Sequence, residues 1–351
     1  MEYWSSGRLL VMGHNPYDRV SVLALQRQQG VETAKFVFVR NPPWTLWWMM
    51  PLGLLPLKAA WVLWMMTCTG VLVGSIHLCW RVLAGNDPAV RSLFLLWTVG
   101  FAPILACMMA GQIGLLLLLG MLLFLLWEKD HPFWAGFALI LPLEKPHLIA
   151  PFLLVLLIQS IAKRNWRVMA GLTAATIAAM LPILLIDPQL FVHYRAGIAE
   201  ENIGAEFIPT ISGFLRALLF RDRYWVQFVP VFGGMIFGAW FYLRTPVWDW
   251  RRQGFVLLVG SVMVAPYGWF TDEAILLPVV LAAWLRIQRW ETRPWATWLL
   301  LGGTVILFLM TMAGVRLTSW MYIWSVPLWG AWYWLSCRNS VDGKMYPANA
   351  S

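Results

Sequence analysis

The sequence predicts an all-α fold, a polytopic bundle of membrane helices, and three observations lead to this prediction. Hydrophobic residues make up 60% of the chain and charged residues only 12%, whereas a soluble domain carries about 25% charged residues. Eleven apolar segments follow one another between residues 58 and 336. Tryptophan is unusually frequent, with 25 residues, and many lie at segment ends, where indole rings favour the headgroup level of a bilayer.

Each apolar segment is predicted to be one membrane element. The segments are 58–80, 92–109, 112–127, 132–143, 146–162, 166–186, 224–243, 252–266, 273–288, 295–314 and 318–336. Segment 132–143 is too short for a regular crossing, because about twelve helical residues rise only about 18 Å and the hydrocarbon core is about 30 Å thick. Irregular backbone at this depth is tolerated only against protein or a water-filled cavity. Residues 143–147 are therefore predicted to line a cavity that opens outward.

Basic residues divide unequally between the two sides when the segments alternate across a membrane. The short connections on one side contain only Lys58, Lys145 and Arg316. Because short cytoplasmic loops carry the excess of positive charge, the opposite side is predicted to be cytoplasmic, and the protein to be a multi-pass protein of the plasma membrane. The net charge of +9 therefore requires no nucleic-acid partner. The basic residues on the cytoplasmic side are Arg81, Arg91, Lys129, Lys163, Arg164, Arg167, Arg244, Arg251, Arg252, Arg286, Arg289, Arg293, Arg338 and Lys344.

Three parts of the chain follow from this topology. Residues 1–57 are predicted to form an outer-face loop with turn and re-entrant segments. Residues 58–337 form the transmembrane helical domain, which includes an outer loop at 187–223. Residues 338–351 form a cytoplasmic tail.

The outer segment 1–57 contains strong turn signals. The cluster Gly13-His14-Asn15-Pro16-Tyr17-Asp18 is typical of turns and precedes a polar helical stretch at 19–30. Pro51 and Pro56 interrupt the apolar stretch 44–57, so this stretch is predicted to be re-entrant or interfacial and to fall short of a crossing.

The start of the chain conflicts with this topology. Residues 1–57 are predicted to lie outside, yet no signal peptide or span precedes them. They carry five Lys or Arg residues and three Asp or Glu residues, which is unfavourable for unaided translocation. We therefore expect one further span upstream of Met1. The alternative is a shortened protein whose first segment folds back onto the membrane.

The outer loop 187–223 contains a turn at Asp187-Pro188 and a short amphipathic helix with Arg216 inside its apolar stripe. An acidic patch lies between them, formed by Glu200, Glu201 and Asn202. The stripe consists of Ile211, Phe214, Leu215, Leu218 and Leu219.

No metal site or cofactor is predicted. Cys68, Cys79, Cys107 and Cys337 lie in or beside apolar segments and form no Cys-x-x-Cys pair, so they are predicted to be packing thiols. The sequence also contains no glycine-rich phosphate loop and no Ser/His/Asp arrangement.

Several helix-breaking and polar motifs inside the apolar part map to the outer side. They are Asn41-Pro42-Pro43, Gly111-Gln112, Glu144-Lys145-Pro146 and residues 266–272. Charged groups at bilayer depth are costly and persist mostly where they line a cavity or a substrate path. This distribution indicates a membrane enzyme or a carrier.

Lys145 is the strongest candidate for a substrate-binding residue. A lone ammonium group at the head of a broken helix is well placed to hold a phosphate, and His147 adds a donor. The alternatives are a pair with Glu144 or a lysine that extends to the interface. The amide of Gln112 suits sugar hydroxyls, or it caps a helix end.

Asp272 is a candidate for orienting an acceptor or a proton, and its alternative role is to complement a helix dipole. Asp18 is either a turn residue or a base. Arg216 is a second candidate for phosphate binding, and Asn41 and Tyr17 are candidates for substrate contacts.

Taken in order, these motifs resemble glycosyltransferase family 87, polytopic GT-C enzymes related to mycobacterial polyprenol-phosphate-mannose-dependent mannosyltransferases. The resemblance begins with Tyr3-Trp4-Ser5-Ser6-Gly7-Arg8 and the Gly13 to Asp18 cluster. It continues through Asn41-Pro42-Pro43-Trp44, Gly111-Gln112, Lys145-Pro146 and residues 266–272 ahead of Leu276-Leu277-Pro278.

The resemblance implies a GT-C-like fold and the transfer of a mannose-like hexose from a polyprenyl-phosphate donor to a lipid or glycan acceptor at the outer face, within membrane lipids. It implies inversion at the anomeric carbon, with the leaving phosphate held by Lys145 and Arg216. In the family, an acidic residue shortly ahead of the position of Tyr3 acts as the general base. Glu2 is the only acid nearby here, so either the base lies upstream of Met1 or Glu2 takes its place.

Two other functions remain open from the sequence. A lipid-linked sugar carrier or flippase would move a lipid phosphate without chemistry, although such carriers often contain inverted repeats and this sequence shows none. An O-antigen-ligase-like transferase would use a diphosphate-linked glycan instead.

The predicted topology can be tested by cysteine-accessibility labelling on a cysteine-free background. We expect cysteines introduced at His131, Lys163 and Arg251 to be labelled only from the cytoplasm, and those at Asn41, Glu201 and Arg316 from outside. External labelling at position 163 would contradict the topology.

Overall fold

A computed structural model describes residues 1–30, 32, 36–84, 87–200, 207–287 and 294–338. Every regular element in these residues is helical, which confirms the predicted all-α class. The α-helices are α1 (Glu2–Val11), α2 (Arg19–Gln28), α3 (Leu46–Gly53), α4 (Leu57–Ala84), α5 (Arg91–Gly100), α6 (Ala102–Ala110), α7 (Gly114–Trp127), α8 (Pro132–Ala138), α9 (Ala150–Ala162), α10 (Arg167–Ile186), α11 (Leu190–Ala199), α12 (Ile211–Leu219), α13 (Val229–Leu243), α14 (Gln253–Met263), α15 (Leu277–Ile287), α16 (Pro294–Met312) and α17 (Ser325–Arg338).

Short 3-10 turns lie between several of these helices. Many begin at a proline, whose fixed φ suits the first helical position and whose missing N–H is not needed there. The turns are Pro43–Thr45, Pro88–Val90, Pro142–Glu144, Pro146–Leu148, Tyr224–Phe228, Phe270–Leu276 and Trp320–Tyr322.

The chain divides into two compact units, each built from several stretches of sequence. The first unit consists of Met1–Ser75, Met108–His147 and Leu156–Phe207. The second unit consists of Ile76–Cys107, Leu148–Val155 and Ile208–Ser351. The three sequential parts predicted from the topology stay a prediction.

Three helical stretches are long and apolar enough to cross a membrane, judged by length and composition: α4, α10 and Tyr224–Leu243. The predicted count of eleven crossings is therefore not supported by the described residues. Interruptions shorten the other segments. Segment 92–109, for example, becomes α5 and α6 because Phe101 adopts an extended backbone between them.

The short segment 132–143 has the interrupted form that the sequence predicted. Helix α8 contains only seven residues, and a 3-10 turn at Pro142–Glu144 follows it. A second 3-10 turn begins at Pro146, so the backbone around Lys145 belongs to neither helix. The outward cavity that residues 143–147 are expected to line stays a prediction.

The first 57 residues are more regular than a loop. The predicted polar helix is present as α2, and α3 has eight residues, which rise only about 12 Å and therefore fall short of a crossing as expected. The sequence analysis did not predict α1. This helix is largely buried in the first unit and ends just before the Gly13 to Asp18 turn cluster.

The predicted amphipathic helix in the second outer loop is present as α12. Its buried residues are Ser212, Gly213 and Arg216, whereas Phe214 and Leu218 are exposed. The polar side of α12 therefore packs against the rest of the second unit, and Phe214 and Leu218 point away from it. Several residues used in the topology lie outside the described residues, namely Glu201, Asn202, Arg289, Arg293 and Lys344, as does the tail from residue 339 onward.

Glycine allows helices α1 and α3 of the first unit to approach closely. A Cβ atom at Gly53 would lie 2.2 Å from the carbonyl carbon of Gly7, and one at Gly7 would lie 2.1 Å from the carbonyl oxygen of Met49. Small residues permit such close backbone approach between membrane helices. The same contact lets the Arg8 guanidinium donate to the Gly53 carbonyl at 3.1 Å and fixes α1 against α3.

We expect Gly53→Ala and Gly7→Ala each to lower the free energy of unfolding by about 1–3 kcal/mol, because the added methyl group overpacks the α1–α3 contact. Thermal unfolding in detergent measures this loss. Gly70→Ala in α4 is the matched control, because a Cβ there meets nothing within 4 Å, and it should raise stability by about 0.5–1 kcal/mol. Equal stability of the three variants would show that α1 and α3 are not in contact at these glycines.

Candidate functional site

Glu2 and Gln112 meet in the first unit, although they are 110 residues apart in sequence. The Gln112 Nε2 atom donates a hydrogen bond to Glu2 Oε1 at 3.1 Å. The hydroxyl of Tyr3 donates to Gln112 Oε1 at 3.0 Å. The amide thus orients the carboxylate of Glu2 on one side and is itself held by a buried tyrosine on the other. Glu2 and Gln112 remain partly exposed.

The backbone turn at Gly111 sets the position of the Gln112 side chain. Helix α6 ends just before it, and Gly111 has a φ of +64°, a left-handed conformation that glycine adopts without strain. The indole nitrogen of Trp64 donates to the Gly111 carbonyl at 2.8 Å. The turn that carries Gln112 is therefore fixed to α4.

A buried aromatic cluster supports this network. The rings of Trp48 and Trp64 are stacked, with centroids 4.6 Å apart and an interplanar angle of 13°. Tyr3 contacts both edge-on, at 5.0 Å from Trp48 and 5.6 Å from Trp64. Each of the three side chains is 8% exposed or less. This cluster was not predicted from the sequence. One signal for it was the position of Trp64 inside an apolar segment, because an interfacial tryptophan usually lies at a segment end.

Glu144 is the second acidic residue of this region. Its side chain is fully buried, and neither carboxyl oxygen has hydrogen-bond geometry to a donor. Burial raises its pKa well above the usual range, and the Trp48 indole and the charge of Lys145 oppose that shift. From the sequence, Glu144 was expected to line the outward cavity with residues 143–147 or to pair with Lys145. Its contact with Trp48 connects it to the aromatic cluster.

Asn41 and Trp44 hold the irregular segment that carries Lys145. The Asn41 side-chain amide donates to the carbonyl of Glu144 at 3.1 Å, and the Trp44 indole donates to the carbonyl of Leu143 at 3.0 Å. Lys145 has φ −135° and ψ 70°, and it is half-buried, as is His147. Asn41, predicted as a substrate contact, therefore positions the backbone beside Lys145.

Tyr17 and Asp18 take structural positions in the first unit. The buried Tyr17 hydroxyl donates to the Asn41 carbonyl at 3.2 Å, and burial raises the Tyr17 pKa. Asp18 is the N-cap of α2 and accepts hydrogen bonds from the backbone of Val20 and Ser21. The bond from the Ser21 hydroxyl lowers the Asp18 pKa. This capping geometry matches the turn role that the sequence left open for Asp18.

Asp272 and Arg216 belong to the second unit. Asp272 is 1% exposed, and its Oδ2 atom accepts the backbone N–H of Trp269 at 2.9 Å. The guanidinium of Arg216 is 4% exposed and lies 5.5 Å from the Tyr224 ring centroid, within reach of a cation–π interaction. The shared cavity predicted for Asp272, Lys145 and Gln112 stays a prediction.

The motif that contains Asp272 is held by two side chains that are distant from it in sequence. Gln227 Nε2 donates to the Pro266 carbonyl, and the buried Cys107 thiol donates to the Thr271 carbonyl at 3.1 Å. Cys68 and Cys79 are also buried, which agrees with a packing role for these thiols.

We expect Asp272→Asn to retain near-normal turnover and to lower stability by about 0.3–1 kcal/mol, because an amide oxygen can still accept the Trp269 N–H. Turnover and thermal unfolding of the same preparation measure the two effects. A loss of turnover of about tenfold or more (about 1.4 kcal/mol of barrier) at unchanged thermal stability would instead assign Asp272 the catalytic role predicted from the sequence.

Comparison with known proteins gives one family. The model of glycosyltransferase family 87 matches residues 38–311. The match includes Asn41, Gly111-Gln112, Lys145 and residues 266–272, whereas Glu2 and the Tyr3 to Asp18 string precede it. No curated protein and no solved structure matches the chain. Apolar helices of membrane-spanning length and a match over most of the chain lead to one conclusion: the protein is a membrane protein that belongs to glycosyltransferase family 87.

Proposed function

We propose that the protein transfers a mannose-like hexose from a polyprenyl-phosphate donor to a hydroxyl group of a lipid or glycan acceptor, at the extracytoplasmic face of the plasma membrane. Family membership supports sugar transfer. The observation that carries the proposal is the hydrogen-bonded network of Glu2, Gln112 and Tyr3 above the aromatic cluster. It provides a partly exposed carboxylate in a fixed orientation.

Glu2 is the general base in this proposal. A base must lie in a fixed position to remove a proton as the nucleophile attacks, and the amide of Gln112 fixes the carboxylate through Oε1. The acceptor oxygen attacks the anomeric carbon of the sugar and forms the new glycosidic bond. Its proton passes to Glu2. The bond from the anomeric carbon to the phosphate oxygen breaks, and the configuration inverts.

Lys145 stabilises the leaving polyprenyl phosphate. Negative charge develops on the phosphate oxygens as the bond breaks, and a cation placed beforehand stabilises that charge most in surroundings that exclude water. Lys145 lies between two 3-10 turns, where Asn41 and Trp44 hold the adjacent carbonyl groups. A half-buried ammonium group on a fixed backbone suits a monophosphate, with His147 two residues away as a further donor.

Gln112 also suits a role in sugar binding. Its amide both donates and accepts hydrogen bonds in the network. An amide that binds a sugar hydroxyl group uses the same two capacities. A carrier without chemistry needs no oriented carboxylate, so Glu2 and the family match favour a transferase over a carrier.

The decisive experiment measures sugar transfer from a synthetic polyprenyl-phosphate hexose by purified protein in detergent. We expect Lys145→Ala to abolish transfer and Lys145→Arg to retain part of it, because guanidinium also binds phosphate. Lys58→Ala is the matched control, since Lys58 is an exposed lysine at the start of α4 and should leave transfer unchanged. Near-normal turnover by a folded Lys145→Ala protein would exclude the phosphate-binding role.

The same assay tests the base. Glu2→Gln keeps an oxygen that accepts the Gln112 amide but removes the basic carboxylate, so transfer should fall by about 10²–10⁴-fold with little change in thermal stability. Transfer at the normal rate would show that another residue is the base. Absence of transfer by the unaltered protein with every polyprenyl-phosphate hexose, together with transfer from a diphosphate-linked glycan, would favour a ligase-like enzyme.

A further inference from the structure

Helix α12 has its polar side turned toward the protein. An amphipathic helix of a protein in water packs its apolar stripe on the core and exposes its polar face. In α12, Ser212 and Arg216 are buried, at 0% and 4% exposure. The apolar side of α12, formed by Phe214, Leu218 and Leu219, is instead exposed, at 43%, 66% and 59%. The helix therefore has the opposite orientation to the one that water favours.

Polar contacts on the protein side fix this orientation. The Ser212 hydroxyl donates to the carbonyl of Val264 at 2.9 Å. The guanidinium carbon of Arg216 lies 5.5 Å from the centroid of the Tyr224 ring, within the range of a cation–π interaction. A rotation of α12 about its axis that buried Leu218 would break both contacts, and it would leave the Val264 carbonyl without this donor. The apolar side of α12 is therefore held outward.

The exposed side of α12 adjoins a surface that faces lipid. The stretch Tyr224–Leu243 follows shortly after α12 and is long and apolar enough to cross a membrane. Helix α12 packs against the start of this stretch. Trp225, Phe232 and Ile236 are exposed along it, at 61%, 61% and 72%, and in a membrane-spanning helix such side chains contact lipid. The apolar side of α12 therefore extends a surface that lipid already covers.

The residues between α12 and the membrane-spanning stretch suit the headgroup level of a bilayer. Arg221 and Arg223 are exposed there, and arginine side chains near helix ends reach lipid phosphates. Trp225 follows them, and indole rings favour the same level. An apolar helix face, exposed arginines, an indole ring and then a membrane-spanning stretch come in the order in which a chain passes through a bilayer interface.

We infer that α12 lies in the plane of the membrane, at the surface where Tyr224–Leu243 enters it, with the apolar side of α12 among the acyl chains. Arg221 and Arg223 then lie beside the lipid phosphates. The partner of this surface is a phospholipid interface, and α12 holds the second unit to it. The inference is independent of the proposed sugar transfer.

Site-directed spin labelling of the purified full chain in phospholipid nanodiscs measures the depth of α12. Single nitroxide labels are attached through Phe214→Cys or Leu218→Cys, on a cysteine-free background in which Cys107→Ser keeps a donor for the Thr271 carbonyl. Collision rates with oxygen, which concentrates in lipid, and with a water-soluble nickel chelate give the depth. We expect both labels about 5–10 Å below the lipid phosphates, and a label at Asp222→Cys close to the phosphate level.

Two further positions provide matched controls. Gln28→Cys lies at the exposed end of the polar helix α2, so its label should collide mainly with the nickel chelate. Ile236→Cys lies on the lipid-facing side of the membrane-spanning stretch, so its label should collide mainly with oxygen. The side chains replaced by labels on α12, on α2 and on this stretch are exposed, so the labels should leave the packing unchanged. The Phe214 and Leu218 labels should resemble the Ile236 label.

Two results would overturn the inference. Nickel accessibility at Phe214 and Leu218 equal to that at Gln28 would place the apolar side of α12 in water. Shielding of both labels from oxygen and from nickel would show that a protein surface covers the helix instead of lipid. Dipolar broadening between the labels would then identify that surface as a second copy of the chain, and its absence would indicate a different protein.

Discussion

The structure depends on satisfying backbone carbonyl groups wherever an apolar helix is interrupted. A carbonyl without a partner in apolar surroundings costs several kcal/mol, so each interruption needs a donor from elsewhere in the chain. Trp44 supplies one to Leu143 and Asn41 supplies one to Glu144. These two bonds reach across about a hundred residues of sequence and fix the segment that carries Lys145.

The same requirement explains part of the high tryptophan content. The sequence alone favours an interfacial role for tryptophan, because the indole ring is amphipathic. In the structure, the indole nitrogens of Trp4 and Trp64 donate to the carbonyls of Leu55 and Gly111, at 2.9 and 2.8 Å. An indole provides a donor without an acceptor and much apolar surface, so it can satisfy a carbonyl and leave no polar atom of its own unpaired.

Local patterns predicted the local features of this fold well. The sequence predicted α2, the short segment 132–143, the amphipathic helix α12 and the all-α class, because proline, turn residues and helical periodicity act over a few residues. It did not anticipate that Phe101 divides the apolar segment 92–109 in two, because composition alone does not show where a helix is interrupted. The Glu2–Gln112 bond, the Trp48–Trp64 stack and the burial of Glu144 depend on contacts over long sequence separations, which no local pattern encodes.

The α1–α3 contact has a consequence for the order in which the site is assembled during synthesis. Trp4 and Leu55 are 51 residues apart, so the ribosome completes this helix pair early, with Tyr3 and Trp48 already in it. Gln112, by contrast, follows Glu2 by 110 residues. The catalytic carboxylate proposed here therefore reaches its place before the amide that orients it has been made.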